Sequence, residues 1–260
     1  MLNFAMQTAQ DAGRILLEKM GRHLSVNDKS DKNIVTEADL ASEKFIIEQI
    51  QNRFPRHAIL AEESGSSANK DNLENNFEYR WIIDPLYGTT NFAHSYPCFC
   101  VSIGLEKINA GIQLGAIYDP TRDEMFAVER GQGATLNGRR IRVSEVTDLE
   151  RALLVTGFPY DVKKRDQFVE LFAKFVLNAQ AVRRDGSAAI DLAYIACGRF
   201  DGFWEDGLSA WDTAAGTLMV EEAGGRVTHY DGTPFDVHKR QMLATNGAVH
   251  DQMLRILQSL

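Results

Sequence analysis

The chain has few cysteines, and their placement suits neither disulfides nor metal. Among its 260 residues there are three, Cys98, Cys100 and Cys197, an odd number set in apolar stretches. That excludes a disulfide framework and points to reduced, buried thiols. Cys98-Phe99-Cys100 lacks a partner Cys or His pair at zinc spacing, so it reads as core packing. No apolar run approaches the roughly 20 residues of a membrane span. The first helical stretch carries Asp11, Arg14, Glu18 and Lys19, unlike the uninterrupted apolar region of a signal peptide. A cytoplasmic protein with no membrane partner is therefore expected. Positive charge is also short. The formal net charge of −8 argues against wholesale electrostatic binding to nucleic acid, and no direct DNA binding is expected. Basic residues do cluster at Arg139, Arg140 and Arg142 and at Arg183-Arg184, where the plain reading is a solvated surface. No internal repeat or low-complexity linker interrupts the chain.

What is present alternates between helix and strand. Residues 3–20 place Phe4, Ala5, Ala9, Ala12, Leu16 and Met20 at helical spacing. The polar stretch Asn27–Asn33 has turn composition. Thr36 and Asp39 form an approximate capping box for a helix with Ala38, Ala41, Phe45, Ile46 and Ile50 on its apolar face. His57–Ala61 reads as a short strand ending at Glu62-Glu63-Ser64-Gly65, and 66–78 as an exposed loop. A strand over 80–84 follows. From Val101 to Arg142 the text is a meander, with turns at Asn109-Ala110-Gly111, Asp119-Pro120 and Asn137-Gly138. The second half predicts strands at 153–156, 201–205, 226–230 and 241–245. It predicts helices at 165–177, from Ser187 through Cys197, from Trp211 to Ala223, and at the end of the chain. The expected organisation is an N-terminal half, 1–146, and a C-terminal half, 147–260, fused as one globular unit.

The most informative segment is Asp84-Pro85-Leu86-Tyr87-Gly88-Thr89-Thr90-Asn91-Phe92. The apolar Trp81-Ile82-Ile83 ends in an acid, a proline, and a Gly-Thr-Thr turn opening toward a helix. A carboxylate beside backbone N–H groups can hold a cation and an anion together, as metal-assisted phosphate chemistry requires. Other acids also fall at element ends: Glu62-Glu63, and Asp212 after Leu208-Ser209-Ala210-Trp211. Mg²⁺ takes one or two carboxylates with water and substrate phosphate. Each acid has a plainer reading as well. Asp212 suits a helix N-terminus, Asp39 a cap, Glu62-Glu63 a solvated strand end, and Asp84-Pro85 a turn start.

Taken together, these segments resemble the inositol monophosphatase family of lithium-sensitive, magnesium-dependent phosphatases. That family's central motif is Asp-Pro-(Ile/Leu)-Asp-Gly-Thr-(Thr/Ser)-Asn-Phe, matched by Asp84–Phe92 with one change. Its second motif is similar to Trp211-Asp212-Thr213-Ala214-Ala215-Gly216, followed by Glu222-Ala223-Gly224-Gly225. Glu62-Glu63-Ser64 and Val35-Thr36-Glu37-Ala38-Asp39 match two more. Gly131-Gln132-Gly133-Ala134 with Asn137-Gly138, Thr156-Gly157-Phe158-Pro159 and Gly186-Ser187-Ala188-Ala189 look like the bacterial branch.

The resemblance implies an α/β layered fold of the αβαβα sandwich type and a homodimer. It implies hydrolysis of myo-inositol 1-phosphate or similar small polyol phosphates. It further implies a first Mg²⁺ on Glu62, Asp84 and the Leu86 carbonyl, a second on Asp84 and Asp212, and a third assisted by Asp39 through water. Glu62 and Thr89 would activate the attacking water. The Gly88 and Thr89 N–H groups would bind phosphate. Ser187, Ala188 and Glu205 would meet the polyol, with Asp212 near the ester oxygen. A metal-activated water needs no histidine base, so His57, His94 and His229 are assigned no catalytic role. Alternatives within the fold are phosphatases of fructose 1,6-bisphosphate, histidinol phosphate or 3′-phosphoadenosine phosphate. A different class is a binding partner of RNA polymerase and antitermination factors, for which Arg183-Arg184 lie in the matching region.

Tyr87 departs from the motif, standing where the family has an acid. A tyrosine with its ordinary pKa of about 10 is neutral at pH 7. The change removes a negative charge from the second metal position and adds a ring there. Weak or absent binding of the second Mg²⁺ and reduced activity are expected.

Overall fold

A computed structural model describes residues 1–21, 26–30, 33–67, 77–158 and 165–259. In chain order the elements are α1 (Leu2–Lys19), β1 (Val26–Ser30), β2 (Asn33–Thr36), α2 (Glu37–Arg53), β3 (Ala58–Ala61), β4 (Gly65–Ser67), β5 (Tyr79–Tyr87), α3 (Thr89–Ala93), β6 (Cys100–Lys107), β7 (Gly111–Asp119), β8 (Glu124–Glu129), β9 (Gly133–Leu136) and β10 (Arg139–Arg140). A 3₁₀ turn at Leu149–Arg151 leads into β11 (Leu153–Thr156), α4 (Arg165–Asn178), β12 (Ala181–Arg183), α5 (Ala188–Ala196), β13 (Gly202–Asp206), α6 (Ala210–Glu222), β14 (Arg226–Thr228), β15 (Gln241–Thr245) and α7 (His250–Leu257).

Two sheets carry the fold. The eight-stranded one runs β10-β9-β8-β7-β6-β5-β3-β4, antiparallel except where β3 lies parallel to β5. The five-stranded one runs β12-β11-β13-β15-β14, with β11 parallel to β12 and β13 and β15 antiparallel to both its neighbours. Strand alternation sorts the side chains into layers. Trp81 and Ile83 face α1 and α2, packing with Ala5, Leu16, Ile46 and Ile50. Ile82, between them, faces the opposite way and joins Phe126, α5, α6 and the inner face of the smaller sheet, including Val155 and Phe203. Leu154 and Trp204 face outward onto α4 and α7 through Phe168, Phe175 and Met253. The order is therefore αβαβα, as the family resemblance implies.

The middle helix layer sits unusually close to the large sheet. A Cβ on Gly115 of β7 would lie 2.7 Å from the Ala215 Cα, and one on Gly104 of β6 would lie 3.1 Å from the Ala214 Cβ. The Ala214-Ala215-Gly216 run of α6 thus has a packing reason. Small residues on both surfaces let the helix backbone rest on the strands, and this fixes Asp212 at its N-terminal end.

Three local expectations differ. The Asn27–Asn33 stretch, read as a loop, lies largely within an antiparallel hairpin of β1 and β2, in which Asn27 pairs with Val35. Backbone pairing does not require apolar side chains. Within the segment read as loop from 66 to 78, Ser66 and Ser67 extend β4, while residues 68–76 lie outside the described residues. Finally, β5 does not stop at Asp84 but continues to Tyr87 through a register shift opposite β6. Pro85 has no N–H for the ladder, so the irregularity falls there.

Candidate active site

That shift re-aims Asp84. Its side chain is 1% exposed, and its Oδ1 accepts the Leu86 N–H at 3.1 Å, closing a tight turn around Pro85. Ser42 donates to the Pro85 carbonyl at 2.8 Å, pinning the bulge to α2. After Tyr87 the chain turns at Gly88, whose φ is +103°, and a Cβ there would lie 2.8 Å from the Cys98 carbonyl. Only glycine fits both demands. The short α3 follows, anchored by Phe92 edge-on against Phe99 at 5.0 Å.

The acids converge on this turn. Burial pushes the Asp84 carboxyl well above the usual range, and the charges of Glu62, Asp212 and Asp39 push it further. The Leu86 N–H opposes them. Glu62 stands in the turn after β3, and that turn is held from α2. The buried Glu43 carboxylate accepts the Glu63 N–H and the Ser64 N–H, each at 2.8 Å. Asp212 arrives from α6, where its Oδ2 accepts the Ser209 N–H at 2.6 Å in a capping box. Asp39 is fully buried. One of its oxygens accepts from the Thr36 N–H at 2.8 Å and the Thr36 hydroxyl at 2.6 Å, the other from the Thr89 hydroxyl at 2.8 Å.

These groups border a cleft of about 170 Å³ between the sheets. Glu62, Asp84, Leu86, Tyr87, Gly88, Thr89, Ser187, Ala188, Glu205 and Asp212 all line it, so the predicted residues come together, with Asp39 behind Thr89. Ser187 turns its hydroxyl to the Tyr87 carbonyl at 3.3 Å, and Ala188 starts α5 beside it. The Glu205 carboxyl is pushed up to about 8 by removal from water and then by the Asp212 charge. His57, His94 and His229 do not line the cleft. His57 stacks on Phe54 and Tyr79, and His229 bonds the Gln241 carbonyl at 2.8 Å. Arg184 does reach the cleft, whereas Arg183 is exposed on β12.

Other residues that build the site carry no role in the sequence reading. Asn91 donates to the Cys98 carbonyl at 2.7 Å and the Asp185 carbonyl at 2.8 Å, tying α3 to the segment before α5. Ser42 and Glu43 had a visible signal. With Asp39 they place polar groups at i, i+3 and i+4 on the buried side of α2.

The donor chemistry suits a hard cation. Carboxylates crowd around Asp84, and a carbonyl from the same turn, Leu86 O, accepts the Thr89 hydroxyl at 3.2 Å. Among the described residues no group of three or more His, Cys, Asp or Glu side chains is disposed to hold a metal ion. The fit is to an ion with few protein ligands, as Mg²⁺ accepts. Comparison with known proteins agrees with the motifs. The sequence profile of the inositol monophosphatase family matches residues 1–260.

The chain belongs to the inositol monophosphatase family.

Within that family it is 46% identical over 258 residues to the inositol-1-monophosphatase of Synechocystis, covering 98% of this chain and 88% of that one. It is 42% identical to the protein named Nus factor SuhB in Pseudomonas aeruginosa, covering 99% of this chain and 96% of that one. The solved inositol monophosphatase of Anabaena superposes with a TM-score of 0.87 at 48% identity, covering 100% of this chain and 95% of that one. Among the described residues no helix is long and apolar enough to cross a membrane.

Proposed function

We propose that this member of the family is a Mg²⁺-dependent phosphomonoesterase acting on myo-inositol 1-phosphate or similar small polyol phosphates. The observation that carries this reading is a single arrangement: Asp84 buried among Glu62, Asp212 and Asp39 beside the Gly88–Thr89 turn. Glu62, Asp84 and the Leu86 carbonyl would hold one Mg²⁺. When bound, that ion supplies a Lewis acid that polarises the phosphate and acidifies water. The remaining roles belong to the chain. Thr89 has one hydroxyl hydrogen, engaged by Asp39 at 2.8 Å with the Leu86 carbonyl at 3.2 Å, so toward water its oxygen would act as an acceptor. Glu62, opposite, would take the water's second proton. The N–H groups of Gly88 and Thr89 would receive phosphate oxygens. Asp212 would stand by the leaving ester oxygen, and Glu205 and the start of α5 would meet the polyol hydroxyls.

Tyr87 lines the same cleft, half-buried, with its ring against the middle core. It puts a phenol where the family motif has a carboxylate, and activity is expected to be limited there. The test is phosphate release from inositol 1-phosphate across a Mg²⁺ titration, for the chain as it stands and for Tyr87→Asp. Restoring the acid should raise the rate at saturating Mg²⁺ by about tenfold or more, through a second stabilised oxygen in the displacement. Full activity in the unchanged chain, with no gain from Tyr87→Asp, would refute the account of position 87. No Mg²⁺-dependent release from either protein would refute the enzymatic reading.

A second reading rests on two observations. Proteins named Nus factors share about two-fifths of their residues with this chain over nearly its whole length, and a tyrosine packed against the middle core stands at position 87, where the family motif has an acid. We infer from them a role in transcription antitermination with RNA polymerase, which needs no catalysis. Capture of purified RNA polymerase by the chain, compared with phosphatase activity of the same preparation, separates the two. Assembly as a homodimer is part of both proposals, and sedimentation of the purified chain tests it.

A further inference from the structure

Asp191 is not explained by the chemistry above. It lies on α5 one turn after Ser187, and its N–H donates to the Ser187 carbonyl at 3.0 Å. Ser187 is the N-cap of that helix and Asp191 lies in its first turn. Asp191 lines the cleft although it is only 1% exposed. Its Oδ1 is fully buried and has no hydrogen-bond partner among the described residues. Buried carboxyl oxygens are rarely left unpaired. A first-turn acid can be favoured by the helix dipole alone, but that does not account for an unpaired oxygen turned away from solvent beside an open cleft.

We infer that Asp191 is a specificity-determining residue of this site, and that its carboxyl reads a hydroxyl on the alcohol portion of a polyol phosphate.

The groups facing it define what it can read. Asp185 and Glu205 set negative charge against it, and Arg184 sets positive charge. Arg184 is exposed, with its guanidinium over the Phe158 ring at 5.4 Å, so it lies at the mouth of the cleft. Burial first, and then Asp185 and Glu205, hold the Asp191 carboxyl well above its ordinary range, which favours its protonated form. A protonated carboxyl both donates and accepts. A hydroxyl does the same, and it can pair with both functions at once. A ligand presenting only an apolar ring at this depth leaves Oδ1 unpaired. A site built to bond a hydroxyl discriminates strongly against analogues that lack it. Position 191 therefore separates polyol phosphates from aryl phosphates, while the phosphate end is held elsewhere in the cleft.

This inference rests on the phosphatase reading for the orientation of the ligand, and the experiment keeps the two apart. Inositol 1-phosphate and phenyl phosphate are compared as ligands, by calorimetry with Mg²⁺, and as substrates, by phosphate release. The proteins are the unchanged chain, Asp191→Leu and Asp191→Asn. Asp191→Leu should weaken inositol 1-phosphate binding at least about tenfold more than phenyl phosphate binding, the worth of one good hydrogen bond. The kinetic loss should fall on KM more than on kcat. Asp191→Asn, which keeps a donor and an acceptor, should recover most of the difference. Because both ligands are read on one preparation, a general loss of folded protein cancels in the ratio. An equal effect of Asp191→Leu on both ligands overturns the inference, as does failure of the unchanged chain to prefer the polyol. Selective binding without phosphate release supports it while refuting the enzymatic reading.

Discussion

At the start of α7, His250 is fully buried, and its replacement by glutamine is expected to flatten the acid side of the stability curve. Its ring is held between two threonines. Nε2 lies 3.0 Å from the Thr228 hydroxyl, which itself donates to the His229 carbonyl at 2.8 Å. Thr228 must then accept from the ring, so Nε2 carries the hydrogen. Nδ1 lies 2.9 Å from the Thr245 hydroxyl, which already accepts the Gly247 N–H at 3.0 Å and so is set to donate. The neutral Nε2–H imidazole satisfies every one of these bonds. Protonating Nδ1 would set two donors against each other. Burial first, and then the nearby Arg226, lower the pKa from 6.5 to about 4. The sign follows. Between pH 6.5 and 4 the unfolded chain binds the proton and the folded one does not. The contribution is therefore complete above pH 6.5 and is lost as the pH falls toward 4. From pH 7 to pH 5 the loss works out at about 2 kcal/mol, within a full span of about 3 kcal/mol. Urea unfolding followed by circular dichroism at half-unit steps over this range measures it. The unchanged protein should lose about 2 kcal/mol more stability between pH 7 and pH 5 than His250→Gln does. Buried carboxyls also titrate, but they are common to both proteins and cancel in the difference. Parallel curves would refute the assignment of a neutral, doubly bonded imidazole.

Two further predictions concern the site. Asp212→Asn should lower Mg²⁺-dependent phosphate release at least about a hundredfold, while metal-free protein resists urea as well as or better than before, because one like charge beside Asp84 is gone. Gly115→Ala should cost about 1–3 kcal/mol by overpacking, since its Cβ would meet the Ala215 backbone at 2.7 Å, and should lower activity by moving α6. Unaltered urea midpoint and activity in that variant would contradict the close seating of the helix.

Much of the fold is legible because burial imposes a period. Trp81, Ile82 and Ile83 alternate between two cores, and Phe203 and Trp204 do the same on the smaller sheet. The Asn137-Gly138 hairpin is legible for a different reason, since both residues take positive φ, as its turn requires. Short β4 and β12 leave no such trace. Their three residues each are placed by backbone pairing with neighbouring strands. At the site, motif residues identify themselves, but their meeting does not. Glu62, Asp84 and Asp212 sit on separate elements, and only the packing of α6 onto Gly104 and Gly115 brings the last of them in. Glu43 reads as an ordinary helix acid until its bonds to Glu63 and Ser64 are seen.

The same seating of α6 has a consequence during synthesis. The large sheet is complete once Arg140 has been made, yet the face that receives α5 and α6 is not fully covered until residues 210–222 emerge. Until α5 and then α6 emerge, the growing chain presents Ile82, Ile117, Phe126 and Val128 without their native cover. Such a sheet is the kind of surface that chaperones occupy and that neighbouring nascent chains join. Assembly of the active centre and concealment of this face are one event, so a ribosome stalled between Arg140 and α6 would carry a sticky half-protein with no chemistry to show for it.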